Sequence, residues 1–466
     1  MSDATSSAQA PAGVTLRRGG LGLRHAIVIS VAVMSPAASV FFNTIPQAGF
    51  VGAAIPLCYV IGFVAALLVA NQYSEFSREI PSSGSAYTFV TEGLGRHLGF
   101  ITAWVGLIAL AIGVPYSFVL LGANVQTLVM RWFGLNLHWS FWFVLALGVA
   151  FALSYWGIRQ SMNVDLTFLA FEMGVCLVLA IIVLFHVGQQ GGLTAVPFTP
   201  GAVPPNGDLT VGVVLAILSY IGFESAAALG EETKNPHQNI PRAVFGSMIV
   251  VGLFYVLMAY IGTVGYGVNH MVTGFAKDPA PFDTIGRQYS GPFFVVLVDL
   301  VGILSFFGAA LAIINGGVRI IYSVGRDGLF PRWTAWLHPV RRTPVGSIAG
   351  LCIFGLVVGL LLGFIMTPIG AFGFLGTLDA LLVLIIYALV CLASMRFFWR
   401  KRRDQFNVFR HGVVPVLGTL LILTIFAFLV IAPAPPPLNL IPFILVIWVL
   451  LGVGLLFVQR RKLIEG

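Results

Sequence analysis

Charge is what this 466-residue chain has least of: Asp, Glu, Lys and Arg together make up 9% of it, against roughly 25% in a soluble domain. That excludes a soluble enzyme and a disordered chain, both of which need far more polar surface. Cysteine is scarce as well. Cys58, Cys176, Cys352 and Cys391 are the only 4, each inside an apolar run and none at a paired spacing. A disulfide scaffold, a zinc site and a dithiol centre are thereby excluded, and the four read as small, lipid-compatible core residues. The 8 histidines are scattered, and none has metal-ligand spacing. His186 and His270 fall near span ends and read as interfacial. No glycine-rich phosphate or dinucleotide fingerprint stands in a strand–helix context. No nucleophile–base pair is visible either, so the chain is not expected to be an enzyme, and neither a cofactor nor a resident metal is expected.

Apolar residues fill the space that charge leaves. They make up 58% of the chain, and the mean hydropathy is +0.96. A membrane-crossing helix takes roughly 20 apolar residues. Apolar stretches separated by Pro, Gly and charge predict twelve spans, at 26–47, 51–73, 97–130, 138–157, 164–187, 209–229, 242–267, 291–317, 344–364, 369–395, 412–432 and 439–458. The third is too long for one straight crossing. It is expected to kink at Pro115 or to tilt, and a split there would make thirteen. The segment 1–20 is Ser-, Ala- and Gly-rich and then basic, without a small-residue cleavage site, so the first apolar run is expected to be retained. The expected class is an all-α, polytopic membrane protein without a soluble domain.

The net charge of +8 invites a nucleic-acid reading, but the positions of the basic residues favour membrane topology. With the N-terminus inside, only Arg131, Lys277 and Arg287 of the 25 Lys and Arg fall in outer segments. A cytoplasmic excess of this kind orients membrane proteins. It predicts an even number of spans and both termini in the cytoplasm. The cluster Arg400 to Arg403 reads as an anchor at anionic headgroups, and no nucleic-acid partner is expected. Long outer loops are expected near 188–208 and 268–290, and the proline run at 432–438 reads as a stiff outer turn. Most tryptophans, among them Trp104, Trp132, Trp139, Trp142, Trp156, Trp333 and Trp336, fall near predicted interfaces as an aromatic belt. The 53 glycines suit close helix packing.

Two spans resist being whole helices. The first contains Met34-Ser35-Pro36-Ala37-Ala38-Ser39, and proline in mid-span removes a backbone donor and clashes one turn back. The sixth contains Ser219-Tyr220-Ile221-Gly222-Phe223-Glu224-Ser225. The breaks lie five spans apart, as in a five-plus-five inverted repeat, and such paired interruptions point to a transporter site. A broken helix leaves free N–H groups at one half's start and free C=O groups at the other's end, which must line a cavity at that depth. The N–H ends attract a carboxylate and the C=O ends an ammonium or metal cation. Together they form a receptor for a zwitterion such as an amino acid. The plainer alternative is a proline kink plus a buried Glu capped by Ser.

Three further stretches make the chain resemble the amino acid–polyamine–organocation (APC) superfamily of permeases, of amino acid permease type. After span two runs Tyr73-Ser74-Glu75-Phe76-Ser77-Arg78-Glu79-Ile80-Pro81-Ser82-Ser83-Gly84-Ser85-Ala86-Tyr87, followed by Gly95, Gly99-Phe100 and Trp104. After Gly222-Phe223-Glu224 come Glu231-Glu232-Thr233-Lys234-Asn235-Pro236 and Ile240-Pro241-Arg242-Ala243. After span eight come Arg319, Gly325-Arg326-Asp327-Gly328-Leu329-Phe330-Pro331 and Thr343-Pro344. The resemblance covers nearly the whole chain. It implies a leucine-transporter-like fold, with one five-helix repeat over 26–187, an inverted second over 209–395, two peripheral helices over 412–458, and cytoplasmic tails over 1–25 and 459–466. It also implies a binding site built from Met34, Ser35, Pro36, Ala37, Ala38 and Ser39 with Ser219, Ile221, Gly222 and Phe223. The substrate carboxylate would lie against N–H groups near Ala37 and Ala38, its amino group against carbonyls near Met34, Ser219 and Ile221. The usual Gly-rich first break is here Ser-Pro-Ala-Ala-Ser, and Leu218 stands where relatives often carry an aromatic gate.

Four acidic residues fall inside apolar runs: Glu172, Glu224, Asp299 and Asp379. Ionisable groups at that depth are functional candidates. Glu172 falls where some proton-coupled family members carry a lysine. It is read as a coupling residue that exchanges a proton, binds Na⁺ or faces a cationic substrate, with a hydrogen-bonded neutral Glu as the plainer alternative. Glu224 is read as holding the broken segment and gating. Asp299 and Asp379 either line the path or satisfy a neighbouring helix.

The expected function is secondary-active transport of amino acids across the cell membrane by alternating access, with H⁺ as coupling ion or Na⁺ as the alternative. The second reading is import or exchange of small amines such as putrescine or ethanolamine. The third is a sensor that binds without transporting. The expected partners are the substrate and the bilayer, the expected state a monomer or homodimer, and the expected location a bacterial inner membrane.

Overall fold

The break between Met34 and Pro36 sets the first feature of the architecture. In the computed structural model, α1 (Leu23–Met34) ends where Ser35 takes a left-handed backbone, with φ 49°, and α2 (Pro36–Val51) restarts on a proline at its first position. Proline is at home there because the first helical N–H has no partner to lose. The structure describes residues 16, 19–431 and 436–458. Arg17, Arg18, Arg460, Arg461 and Lys462, the expected C-terminal tail, most of the N-terminal tail and residues 432–435 of the proline run lie outside the described residues.

The chain continues as α3 (Ile55–Glu79), the short α4 (Ala86–Leu94), α5 (Arg96–Phe133), α6 (Trp139–Trp156) and α7 (Ile158–Gln189). Next come α8 (Leu209–Ser219), a tight helical segment at Phe223–Leu229, α9 (Pro236–Tyr266) and the short α10 (Pro281–Ser290). The last set is α11 (Pro292–Arg326), α12 (Val345–Met366), α13 (Pro368–Lys401), α14 (Val414–Ile431) and α15 (Ile441–Val458). Among the described residues there is no strand, only an isolated bridge between Leu21 and Thr233.

Among the described residues, eleven helical stretches are long and apolar enough to cross a membrane. The count falls below the expected twelve because the first two expected spans run together in one 57-residue stretch, Leu23–Glu79. The third expected span is a single 38-residue helix, α5, with Pro115 inside it. It is not split at Pro115.

Burial separates inner from outer helices. Most of α11 and the middle of α5 are buried, and α5 packs against α4, α6, α11, α12 and α13. Leu and Phe side chains of α12, α14 and α15 are widely exposed, as lipid-facing surfaces are. The peripheral α15 is tied to α5 by Trp104 and Trp448, which stack with ring centroids 4.4 Å apart. Each indole N–H donates to the other residue's carbonyl, at 2.9 and 3.2 Å. Trp104 thus serves helix packing and Trp139 is buried, while Trp132, Trp156, Trp333 and Trp336 are exposed. The four cysteines are free and buried.

Candidate functional site

The second break needs a residue with φ 118°, and Gly222 supplies it. A Cβ at Gly222 would lie 2.6 Å from Val33 Cγ1 and 3.1 Å from the Met34 nitrogen. The two broken helices therefore touch where each is interrupted. Their loose backbone groups are satisfied across the contact. Ser30 Oγ, from α1, donates to the Phe223 carbonyl at 2.6 Å and accepts from the Ala226 N–H at 2.9 Å. Tyr255 Oη, from α9, donates to the Met34 carbonyl at 2.5 Å and to the Ser219 carbonyl at 2.9 Å. Ser39 Oγ also donates to the Met34 carbonyl, at 2.8 Å.

A cavity of about 310 Å³ opens beside this crossing, walled by both breaks and by α5, α11 and α13. Met34, Ser35, Ala38, Ser39, Ser219, Ile221, Gly222 and Glu224 line it, and so does Leu218. Pro36, Ala37 and Phe223 do not; all three are buried. The N–H groups at the breaks are partly taken. Ala38 N–H donates to Ser305 Oγ at 3.2 Å. Gly222 N–H donates to Glu224 Oε2 at 3.1 Å, and the Tyr387 hydroxyl donates to the same oxygen at 2.6 Å. Glu224 thus pins the second break and still borders the cavity.

The other acidic residues separate cleanly. Asp379 also lines the cavity, from α13. Asp299 does not. It accepts from Arg131 at 2.9 Å, and Asp283 of α10 accepts from the same nitrogen at 3.0 Å. Burial pushes the Asp283 carboxyl up to about 6, with the Asp299 charge adding to the shift and Arg131 opposing it. Glu172 is fully buried off the cavity, and neither of its carboxylate oxygens has a hydrogen bond with any described residue. Asp165 shares that condition two turns earlier on α7. Sequence reasoning missed it because it stands next to the start of the expected fifth span and looks like a flanking charge. Among the described residues no three His, Cys, Asp or Glu side chains converge as metal ligands.

The three sequence stretches after spans two, six and eight meet in one cluster of ion pairs and hydrogen bonds. Arg326 donates to both oxygens of Glu231, at 3.0 and 3.1 Å, and Ser83 Oγ donates to Glu231 at 2.7 Å. Burial works against ionisation of Glu231, yet Arg326 and Ser83 outweigh it and hold the carboxyl below the usual range. Arg319 pairs with Glu232 in a buried contact, and Tyr87 Oη donates to Asp327 at 2.8 Å. The backbone of Leu21 pairs with Glu232 and Lys234 beside them. The Arg131 cluster sits at other helix ends, with Arg131 near the C-terminus of α5 and Asp299 near the N-terminus of α11.

Comparison with known proteins adds a family to this geometry. The model of the amino acid permease family matches residues 21–457. The branched-chain amino acid permease BcaP of Bacillus subtilis is 25% identical over 432 residues, covering 88% of this chain and 86% of that one. The low-affinity putrescine importer PlaP of Escherichia coli is 26% identical over 421 residues, covering 86% of each. Among solved structures, a manganese transporter of Eremococcus coleocola aligns with a TM-score of 0.60 at 14% identity, covering 95% of this chain and 94% of that one. The nucleobase-cation-symport-1 transporter MHP1 aligns with a TM-score of 0.55 at 13% identity, covering 90% and 95%. The all-helical fold of these transporters is the fold of this chain.

Proposed function

This chain belongs to the amino acid permease family, and we propose that it moves amino acids across the cell membrane by proton-driven alternating access. It is a multi-pass membrane transporter of a small-molecule substrate, not an enzyme. The observation that carries the proposal is the cavity at the crossing of two interrupted helices, in a fold shared with solved transporters. The cavity is bordered by the carbonyl-bearing ends of both interrupted helices, Met34 and Ser219, and by the Glu224 carboxylate, which suits an amino-bearing ligand. The relatives carry names of that chemistry, a branched-chain amino acid permease and a putrescine importer.

In this proposal residues 26–187 and 209–395 form two inverted repeats. The α1–α3 and α8–α9 bundle rocks against α5–α7 and α11–α13, while α14 and α15 stay peripheral and offer a dimer surface. Both termini face the cytoplasm of a bacterial inner membrane, in keeping with the partition of Lys and Arg. Glu172 takes the coupling proton, with Na⁺ as the alternative ion; its buried oxygens without a hydrogen bond support this.

A second reading, transport of an amine lacking a carboxylate, is favoured by one observation. The N–H group of Ala38, expected to hold a carboxylate, already donates to Ser305, and the Gly222 N–H at the second break donates to Glu224. Uptake into proteoliposomes of labelled neutral, cationic and acidic amino acids and diamines, with and without an inward proton gradient, tests both. Gradient-dependent accumulation of amino acids supports the first reading and accumulation of amines alone the second. Binding without flux would contradict both and support a sensor.

A further inference from the structure

The cavity wall carries two carboxylates, Glu224 and Asp379, and no Lys, Arg or His. Their situations differ. Glu224 is tethered through one oxygen, Oε2, by Tyr387 and the Gly222 N–H. Asp379 makes no hydrogen bond or ion pair with any described residue, although α13 around it is apolar. A carboxylate in a spanning helix is costly unless something neutralises it, and no cationic side chain among the described residues borders this cavity. Tyr116, Phe306 and Phe372 share the cavity with Asp379. Aromatic faces of this kind attract organic cations.

Resting on the transport reading above, we propose that Asp379 is a specificity-determining residue that selects substrates with two ammonium groups. One ammonium sits at the break, where Glu224 and the Ser219 and Met34 ends lie. The second reaches Asp379, on α13, in the same cavity. A dication meets both negative poles at low dielectric, whereas a neutral amino acid leaves Asp379 without a partner. The shared chemistry is a pair of separated ammonium groups, carried by an aliphatic diamine or by an amino acid with a cationic side chain.

The test uses the full chain in proteoliposomes and reads a selectivity ratio. Uptake of putrescine and of lysine is measured against uptake of leucine, in wild type, Asp379→Asn and Asp379→Glu. Expected is a wild-type preference for the dications, lowered tenfold or more in Asp379→Asn and restored in Asp379→Glu. Putrescine alone showing the effect assigns the site to diamines; lysine alone assigns it to cationic amino acids. Leucine taken up by wild type in preference to both dications would overturn the proposal while leaving the transport reading intact. An equal loss of all three substrates in Asp379→Asn would mark Asp379 as structural and also overturn it. No uptake of any compound by wild type would bring down the transport reading, and the proposal with it.

Discussion

The hydroxyl of Tyr255 lies 2.5 Å from the carbonyl oxygen of Met34, the residue at which α1 ends. The same hydroxyl reaches the Ser219 carbonyl, the end of α8, at 2.9 Å. A single O–H donor from α9 therefore serves the loose carbonyl ends of both interrupted helices. These carbonyls would otherwise face the cavity as receptors for a substrate's amino group. Tyr255 holds the crossing together, and the substrate competes with it or shares its carbonyls.

That arrangement predicts the effect of Tyr255→Phe. Removing the donor leaves two buried carbonyls with one partner fewer, at a cost of about 1–3 kcal/mol. Thermal unfolding in detergent is expected to move down accordingly, and transport turnover to change. Unfolding and uptake both equal to wild type would show that the hydroxyl is idle.

Gly222 sets a second prediction. Its φ of 118° and the 2.6 Å approach of Val33 Cγ1 leave no room for a side chain. Gly222→Ala is expected to force the two breaks apart, with backbone strain alone costing roughly 1–3 kcal/mol. Loss of uptake together with lowered thermal stability is the expected outcome. A variant with wild-type stability and uptake would mean that the crossing is looser than described.

Glu172→Gln separates coupling from movement of the substrate. The amide keeps the shape of the buried side chain and removes its capacity to carry a proton. Gradient-driven accumulation is expected to disappear while counterflow exchange persists. Accumulation at the wild-type level would remove Glu172 from the coupling path and turn attention to Asp165, the other buried carboxylate on α7 whose oxygens have no hydrogen bond.

The Arg131 cluster predicts a pH dependence of known sign. The Asp283 carboxyl is raised from 3.8 to about 6, by burial first and by the Asp299 charge second. The folded protein therefore binds this proton more tightly than the unfolded chain. Its contribution to stability is present at low pH and is lost as pH rises through about 6. Thermal unfolding is expected to show that component in wild type and to lose it in Asp283→Asn. Equal pH slopes in the two proteins would assign the dependence to other groups.

Much of this was legible because composition and interruption are local properties. Apolar runs gave away the spans, and the Met34 to Ser39 and Ser219 to Ser225 segments announced both breaks through proline, glycine and charge inside such runs. The facing of residues was not legible. α13 is apolar on nearly every side, so no stripe distinguishes the side that carries Asp379. Asp299 looked like a membrane-depth charge because its partner, Arg131, is 168 positions away. Asp165 was hidden by its place at a predicted boundary. Ala37 and Phe223 belong to the broken segments yet turn into the core, which depends on how two helix ends rotate against each other.

The central claim is that the substrate passes through the cavity where the two interrupted helices meet. The most direct test places a cysteine on its wall, at Thr377, which lines the cavity near Asp379. The four native cysteines are buried and none lines it, so the background is quiet. In Thr377→Cys proteoliposomes, a small methanethiosulfonate reagent is expected to block uptake, and a transported substrate to slow that block severalfold. Complete modification with undiminished uptake would contradict the account, because the substrate would then be crossing somewhere else.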